Sequence, residues 1–356
     1  MIRAFLSASI IPSLVALISG LPEPGHAQGA GGNGDPAGIR FGGEIPPEVD
    51  AIYERGLAYL VKSQNKDGTW NSRGENGITG LCLMAFLASG EDPNFGRYRS
   101  QVRKAVRALI EGQDAKTGYF ESSMYHHGFA TLALAEVYGA VDESTLWDGT
   151  EKKRRTLAEA LDLAVRCAVG SQKKNRWGGW RYSPESTDAD TSVSGAVLMG
   201  LLAARNAGIE VPDESIDNAL EYMRRSTGSN GFVNYSGGFG GMGESMNRSA
   251  VATLVYAVGQ KRDWDEYKAT LGHISKQLEH SEQGHRHYYL YYMAQALFQG
   301  DYESWQKWNH MTARKLAEEQ APDGSFSGSY GQAYGTAMSM LSLALNYRFL
   351  PIYERF

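Results

Sequence analysis

At 356 residues with 42% hydrophobic side chains, the chain has material for one large core or two ordinary ones, which excludes a disordered or fibrous polypeptide. The formal net charge is -5 with no block of like charge, which argues against a nucleic-acid surface with its usual basic stripe. The two cysteines, Cys82 and Cys167, lie in apolar helical runs with no histidine or cysteine at metal-ligand spacing; they read as small core residues, not as a disulfide or a zinc clasp.

The N-terminus has the form of a secretory signal. Arg3 supplies the positive start, Ala4 to Leu21 the apolar stretch, and Pro22 to Ala27 a small-residue exit, so residues 1–27 are expected to be removed and the mature protein exported to the periplasm or beyond. Ser7, Ser9, Pro12 and Ser13 make the stretch a poor permanent span. Residues 28–47 read as a Gly/Pro-rich linker, and a single folded domain is expected over residues 48–356. No later apolar run is long and charge-free enough to cross a membrane, which leaves peripheral membrane contact at most.

From Pro47 onward the sequence repeats a two-helix unit. The first unit opens with an amphipathic helix, Ile52 to Ser63, closed by Gln64; a turn through Gly68 leads to Trp70, and a second, apolar helix runs from Ile78 to Ser89 and stops at Gly90. The same order recurs as Val102 to Glu111, Gln113, Gly118 and Phe120, then Phe129 to Tyr138 and Gly139. A third unit reads Thr156 to Gly170, Gln172, Gly179 and Trp180, then a helix from the Asp188 region to Gly208. The fourth, Ile216 to Arg225 with Gly231 and Phe232, has Ser226 and Thr227 where glutamine stood, and continues through Ala250 to Val258 and Gly259. Trp264 to His280 with Tyr288 to Phe298 and Gly300, and Trp305 to Glu319 with Gln320, Gly324, Phe326 and Thr336 to Tyr347, complete six pairs.

In each pair the first helix is charged along one side and the second is apolar almost all round, so the second must be buried on every side. An open solenoid would expose one face of its inner row. The pattern therefore predicts closure into an all-α fold, an α/α toroid with six inner and six outer helices, that is, an (α/α)6 barrel. Gly90, Gly139, Gly208, Gly259 and Gly300 read as left-handed caps after the inner helices.

Parallel inner helices bring their N-terminal ends to one mouth. The residues there are Thr79, then Tyr125, His126 and His127, then Asp188 and Asp190, Glu244 and Arg248, His285 and His287, and Tyr330 and Tyr334. Polar groups at the end of an apolar cavity are the usual makeup of a ligand site. One of Thr187, Asp188 and Asp190 is expected to cap the helix; a second acid is more than capping needs, and two close carboxyls tend to share a proton that a nearby histidine can help to hold. His285 and His287, two apart, do not share a helix face, so neither a metal nor another cofactor is expected. About half of Tyr288, Tyr289, Tyr291 and Tyr292 should face the cavity, where a ring face can stabilise a cation by on the order of 2 kcal/mol. Gly237 to Gly243 is a glycine-rich loop, either a lid over the mouth or a long connection.

The run Arg55-Gly56-Leu57-Ala58-Tyr59-Leu60 with Gln64, Gly68 and Trp70 resembles the QW repeat of the squalene-hopene and oxidosqualene cyclases, with looser copies at Lys104 to Phe120, Ala164 to Trp180 and Leu316 to Phe326. The wider terpene cyclase and protein prenyltransferase superfamily shares an α/α toroid, in agreement with the closure inferred from patterning. Physically, the Gln amide is expected to satisfy backbone groups left over at a helix end while the aromatic ring folds back over it. Asp188-Ala189-Asp190-Thr191 resembles the DxDD acidic motif of the squalene-hopene cyclases, with Thr191 in the place of the last acid. By position, Asp190 would be the proton donor and Asp188 its acidic neighbour. The chain departs from those cyclases in having one barrel instead of two. The zinc ligands of the prenyltransferases are not matched either, since Asp190 stands in the cysteine place and Tyr334 or Gly335 near the histidine.

The resemblance implies an isoprenoid or another apolar chain held in the barrel and, if the protein is an enzyme, a squalene-hopene-cyclase-like isomerase working by Asp-mediated protonation. The catalytic candidates are then Asp190, Asp188, His126, His127, His285 and His287; the substrate contacts are Tyr125, Glu244, Arg248, Tyr288, Tyr330 and Tyr334. Two alternatives stand beside it. One is a non-catalytic toroid that binds lipid or protein, favoured if residues such as Met84, Met199 and Met338 plug the barrel. The other is a secreted polysaccharide lyase or glycosidase using Asp188, Asp190, Glu244 or a tyrosine, which requires Trp177 and Trp180 to be exposed along a groove.

Overall fold

A computed structural model describes residues 45–70, 75–147, 154–236 and 244–353. The expected signal, nearly all of the linker, and the Gly237 to Gly243 loop lie outside the described residues. Among those residues there are six pairs of α-helices: α1 Pro47–Ser63 with α2 Asn76–Ala88, α3 Arg99–Gly112 with α4 Met124–Val137, and α5 Leu157–Gln172 with α6 Thr191–Asn206. The series continues with α7 Asp213–Arg225 and α8 Met246–Val258, α9 Asp265–Ile274 and α10 Arg286–Gly300, and α11 Tyr302–Glu319 and α12 Gln332–Leu343.

The even-numbered helices form a closed ring. Each packs on the next from α2 to α12, and α12 packs back on α2. The odd-numbered helices lie outside, and α1 completes their circle by packing against α11 and α12. Patterning explains the division. Helix α7 buries Ile216, Ala219, Leu220 and Met223 along one stripe, whereas every residue of α2 is buried. The fold is therefore the α/α toroid expected from the sequence.

Four of the repeats are joined by the same side-chain device. Gln64 Nε2 donates to Gly68 O at 3.1 Å and to Gln101 O of α3 at 3.0 Å. Gln113 bridges Gly118 O and Ala160 O of α5 at 3.0 and 2.8 Å, and Gln172 bridges Gly178 O and Ser215 O of α7 at 2.6 and 2.8 Å. Gln320 bridges Gly324 O and Ile52 O of α1 at 2.9 and 3.1 Å. The aromatic residue adds a donor near the end of the outer helix: Trp70 Nε1 donates at 2.9 Å to Leu60 O, which also accepts the Gln64 backbone N–H at 3.1 Å, and Trp180 Nε1 donates to Ala168 O at 2.8 Å. In these four repeats the staple ties one outer helix to the following one, a reach beyond the single helix end expected from sequence.

Three expectations from the sequence need correction here. Gly90, Gly139 and Gly208 have positive φ as expected, but Gly259 has φ -75° and the left-handed position falls on Gln260 at φ 60°. Gly300 is the last helical residue of α10. Both glycines are explained by close packing instead, since a Cβ at Gly259 would press on Leu220 and one at Gly300 on Leu271 and Tyr267. In the third repeat Gly178, not Gly179, takes the positive φ of the turn. Helix α9 ends at Ile274, well short of the His280 expected from its pattern.

Candidate functional site at the barrel mouth

The N-terminal ends of the inner helices surround a cavity of about 570 Å³, within the usual size range of a small-molecule site. Each inner helix contributes. Helix α2 gives Ile78 and Leu81, α4 gives Tyr125, His126 and Phe129, and α6 gives Ser192. Helix α8 gives Asn247 and Arg248, α10 gives Tyr288, and α12 gives Tyr334. Glu75, Ser123, Ser245, His285 and Tyr330 enter from positions just before these helices, and Tyr182 and Tyr235 from the longer connections.

Ring-bearing side chains make half of the lining residues. Tyr288 meets Tyr125 edge-on with centroids 6.0 Å apart, and its hydroxyl donates to Ser192 O at 3.1 Å, so α10 reaches across to α6. Tyr330 and Tyr334 pack edge-on at 5.2 Å. Burial raises the Tyr125 and Tyr288 hydroxyls well above their ordinary pKa, so both stay protonated as neutral phenols. Of the four tyrosines clustered on α10, only Tyr288 lines the cavity; Tyr289, Tyr291 and Tyr292 are core.

Asp190 is fully buried at the start of α6, and its Oδ1 accepts from Ser192 N at 2.8 Å and Val193 N at 2.9 Å. It is the helix cap. Its other oxygen, Oδ2, is buried without a hydrogen-bond partner among the described residues. Asp190 does not itself line the cavity; it sits behind the wall, near enough to Tyr125, Tyr235 and Arg248 for its charge to act on all three. The Tyr235 hydroxyl, raised chiefly by desolvation and further by Tyr182 and Asp190, is 2.6 Å from that of Tyr182. Asp188, by contrast, is half-exposed and paired with Arg181 at 2.6 Å, so the two acids do not form a shared-proton pair.

The histidines separate. His126 lines the cavity; its Nδ1 accepts the Gly77 N–H at the start of α2 at 3.2 Å, which leaves Nε2 to carry the proton of the neutral ring. Burial holds its pKa below the usual value, partly offset by Glu75. His285 also lines the cavity. His127 does not: its Nδ1 accepts from Phe120 N at 3.3 Å and its Nε2 lies 3.0 Å from Ala164 O. It holds the backbone of the staple's aromatic residue, as do Thr79 for Trp70, Ser194 for Trp180 and Thr336 for Phe326. Burial pushes His127 down to about 4, and His287, packed on Tyr334 and outside the cavity lining, also to about 4.

Glu244 is likewise displaced from the expected site. It lies outside the cavity lining, 3.2 Å from His273 Nε2 and in hydrogen-bond contact with Gln277. Arg286 pairs with Glu319 at 2.6 Å, and Arg248 Nε donates to Val233 O at 2.7 Å. No group of three or more metal-ligating side chains exists among the described residues. Sequence reasoning missed Glu75, Tyr182, Tyr235 and Asn247. Glu75 and Asn247 sit at the same inner-helix starts as the residues that were identified, so position could have found them; Tyr182 and Tyr235 carried no comparable signal.

A closed α/α toroid with a ligand-sized, aromatic-walled cavity at the N-terminal mouth of its inner ring defines the structural class. The chain belongs to the family described as a domain of unknown function, DUF6288, which matches residues 49–347. Among curated proteins none matches it in sequence. Solved structures share the fold at low identity. The GH76A alpha-1,6-mannanase of Salegentibacter sp. HEL1_6 aligns with TM-score 0.61 and 7% identity over 85% of this chain and 99% of its own. An inactive variant of that mannanase bound to alpha-1,6-mannotetrose gives TM-score 0.62 and 9% identity over 84% and 99%. The type II terpene cyclase MstE from Scytonema gives TM-score 0.58 and 14% identity over 85% and 99%.

Proposed function

We propose that this protein holds an isoprenoid or another elongated apolar chain in the mouth cavity, and that Asp190 is the acid by which such a chain is protonated and cyclised or isomerised. The observation that carries the reading is the pairing of an aromatic-walled cavity with a buried acid behind it, one oxygen of which caps α6 while Oδ2 has no partner. Protonating a carbon–carbon double bond creates a carbocation, and the rings of Tyr125, Tyr288 and Phe129 offer it ring faces in a water-poor setting. The following double bond attacks the cation, and loss of a proton ends the sequence, so protons balance. Tyr235, which lines the cavity and lies beside Asp190, is the group between acid and substrate. The fold likeness to a type II terpene cyclase is consistent with this chemistry.

The mannanase likeness supports sugar cleavage equally at the level of the fold. The site favours it less. Glycoside hydrolysis ordinarily uses two carboxyl groups flanking the bond, whereas Glu75 is the single acid among the described cavity-lining residues. Of the two tryptophans that would have to stack on a sugar, Trp180 is buried in its staple and Trp177 is partly exposed. A purely binding toroid gains nothing from Met84, Met199 and Met338, which are buried in the core but do not plug the barrel, since the mouth cavity stays open. Incubation with C15 to C30 polyprenoids and squalene separates these readings. Product from the wild type and none from Asp190→Asn supports the acid role, because asparagine keeps the helix cap. Identical profiles from the two proteins, or bound substrate returned unchanged by both, reject it.

A further inference from the structure

His126 enters the mouth cavity from the first turn of α4 with its imidazole already oriented. The near edge of the ring lies against the start of α2, where the Gly77 N–H donates to Nδ1 at 3.2 Å. The fit is close: a Cβ at Gly77 would stand 2.7 Å from His126 Cα and 3.0 Å from its Nδ1. The edge left to line the cavity is the far one, which carries Nε2. Nε2 makes no hydrogen bond among the described residues and, unlike Asp190 Oδ2, keeps accessible surface.

The tautomer decides what this atom can bind. A neutral imidazole has one acceptor and one donor, and Gly77 occupies the acceptor. Burial holds the ring neutral, so Nε2–H is a donor with no protein group to receive it. Its partner is therefore an acceptor on the ligand. A carboxylate or phosphate is disfavoured, because Glu75 lines the same cavity and its negative charge already acts on His126. A hydroxyl would satisfy Nε2 but bring a hydrogen that needs an acceptor of its own. A carbonyl oxygen accepts and leaves nothing over.

We infer that the cavity's ligand is an uncharged apolar chain bearing a carbonyl oxygen, and that His126 Nε2–H is the donor that selects it. This rests on the apolar-chain reading of the same cavity and adds the polar group of the ligand. Ile78, Leu81 and Phe129, from the same two helices, supply apolar surface for the adjoining chain.

The experiment is a titration followed by tyrosine and tryptophan fluorescence with three C15 isoprenoid probes: a methyl ketone, the hydrocarbon of equal length and the carboxylic acid. The ketone is expected to bind the wild-type protein about fivefold more tightly than the hydrocarbon or the acid, the net gain of one hydrogen bond. In His126→Asn the amide oxygen takes the place of Nδ1, so the Gly77 contact is kept and the donor at Nε2 is lost. That variant should bind ketone and hydrocarbon alike, at the wild-type affinity for the hydrocarbon. In His126→Gln the amide nitrogen takes the place of Nε2, and the ketone preference should persist. The carbonyl stretch of the bound ketone should lie at lower wavenumber in the wild type than in His126→Asn. Equal binding of ketone and hydrocarbon to the wild type, tightest binding of the acid, a ketone preference that survives in His126→Asn or is lost in His126→Gln, or an identical carbonyl stretch in wild type and His126→Asn overturns the inference while leaving the apolar-chain reading in place. Failure of all three probes to bind overturns both.

Discussion

Gln320 Nε2 donates to the carbonyl of Ile52 at 3.1 Å, joining the last outer helix to the first across 268 positions of sequence. The contact is local in form, since the same amide also meets Gly324 O at 2.9 Å just as the other staple glutamines meet their own turns. Its consequence is global, because this copy closes the outer circle. Gln320→Leu removes the donor from two carbonyls in a buried setting, and the expected loss is about 2–4 kcal/mol of unfolding free energy. Urea denaturation should show a lower midpoint with an unchanged slope. An unchanged midpoint would mean that the staple is not what holds the ring closed.

The staple also explains how far the sequence could be read. A glutamine followed four to six residues later by a glycine, with an aromatic two residues after that, punctuates the chain, and inner helices such as α2 are apolar on all sides, so repeat, pairing and closure were all legible. The reasons for individual glycines were not. Gly300 and Gly90 look alike in sequence, but one is small to admit Leu271 and the other takes positive φ, and only packing separates them. His127 was misjudged because imidazole suggests chemistry; aligning the repeats places it in the seat of Thr79, Ser194 and Thr336, where the task is to accept one backbone N–H. Asp190 was legible as a cap and as an acid at the mouth, while its position behind the cavity wall depends on Tyr235, a residue from a connection without helical period.

The two acids near α6 should respond differently to substitution. Asp190→Ala removes the α6 cap and is expected to cost about 1–2 kcal/mol, whereas Asp190→Asn keeps the cap and should lose activity with little change in melting temperature. Asp188 is half-exposed in an ion pair with Arg181, and such pairs contribute about 0–1 kcal/mol. Asp188→Asn should therefore leave both melting and product formation nearly unchanged. A loss of activity in Asp188→Asn equal to that of Asp190→Asn would restore the shared-proton pair that the geometry argues against.

Two glycines with the same backbone conformation should tolerate alanine unequally. Gly208 has φ +87° and nothing within 4 Å of the place a Cβ would occupy, so Gly208→Ala should cost only the left-handed penalty of about 1–2 kcal/mol. Gly324 has φ +90°, and a Cβ there would run into the Arg55 carbonyl of α1. That backbone cannot yield without shifting the helix that Gln320 grips, so Gly324→Ala should be several-fold more destabilising. Thermal melts of the two variants give the comparison, and equal shifts would show that the α1 contact is softer than its geometry implies.

Stability should peak near pH 6.5, because buried groups of opposite type titrate on either side. Glu136 is raised by burial from 4.5 to about 8, with Ile352 N–H donating to its Oε2 at 3.3 Å. Between those values the folded state keeps a proton that the unfolded chain releases, so its contribution falls as pH rises towards 8. His127 and His287 are lowered by burial from 6.5 to about 4; there the unfolded chain holds protons that the folded state lacks, and stability falls as pH drops through that window. Two histidines outweigh one glutamate below 6.5, and the glutamate acts alone above it. From pH 6.5 to 8 the decline should be about 1–2 kcal/mol, since one pKa unit corresponds to about 1.4 kcal/mol. Glu136→Gln keeps an acceptor for Ile352 and loses the titration, so urea midpoints of that variant should be flat over this interval while the wild type declines. A wild-type profile already flat from pH 6.5 to 8 would mean that Glu136 is ionised at little cost in the folded protein.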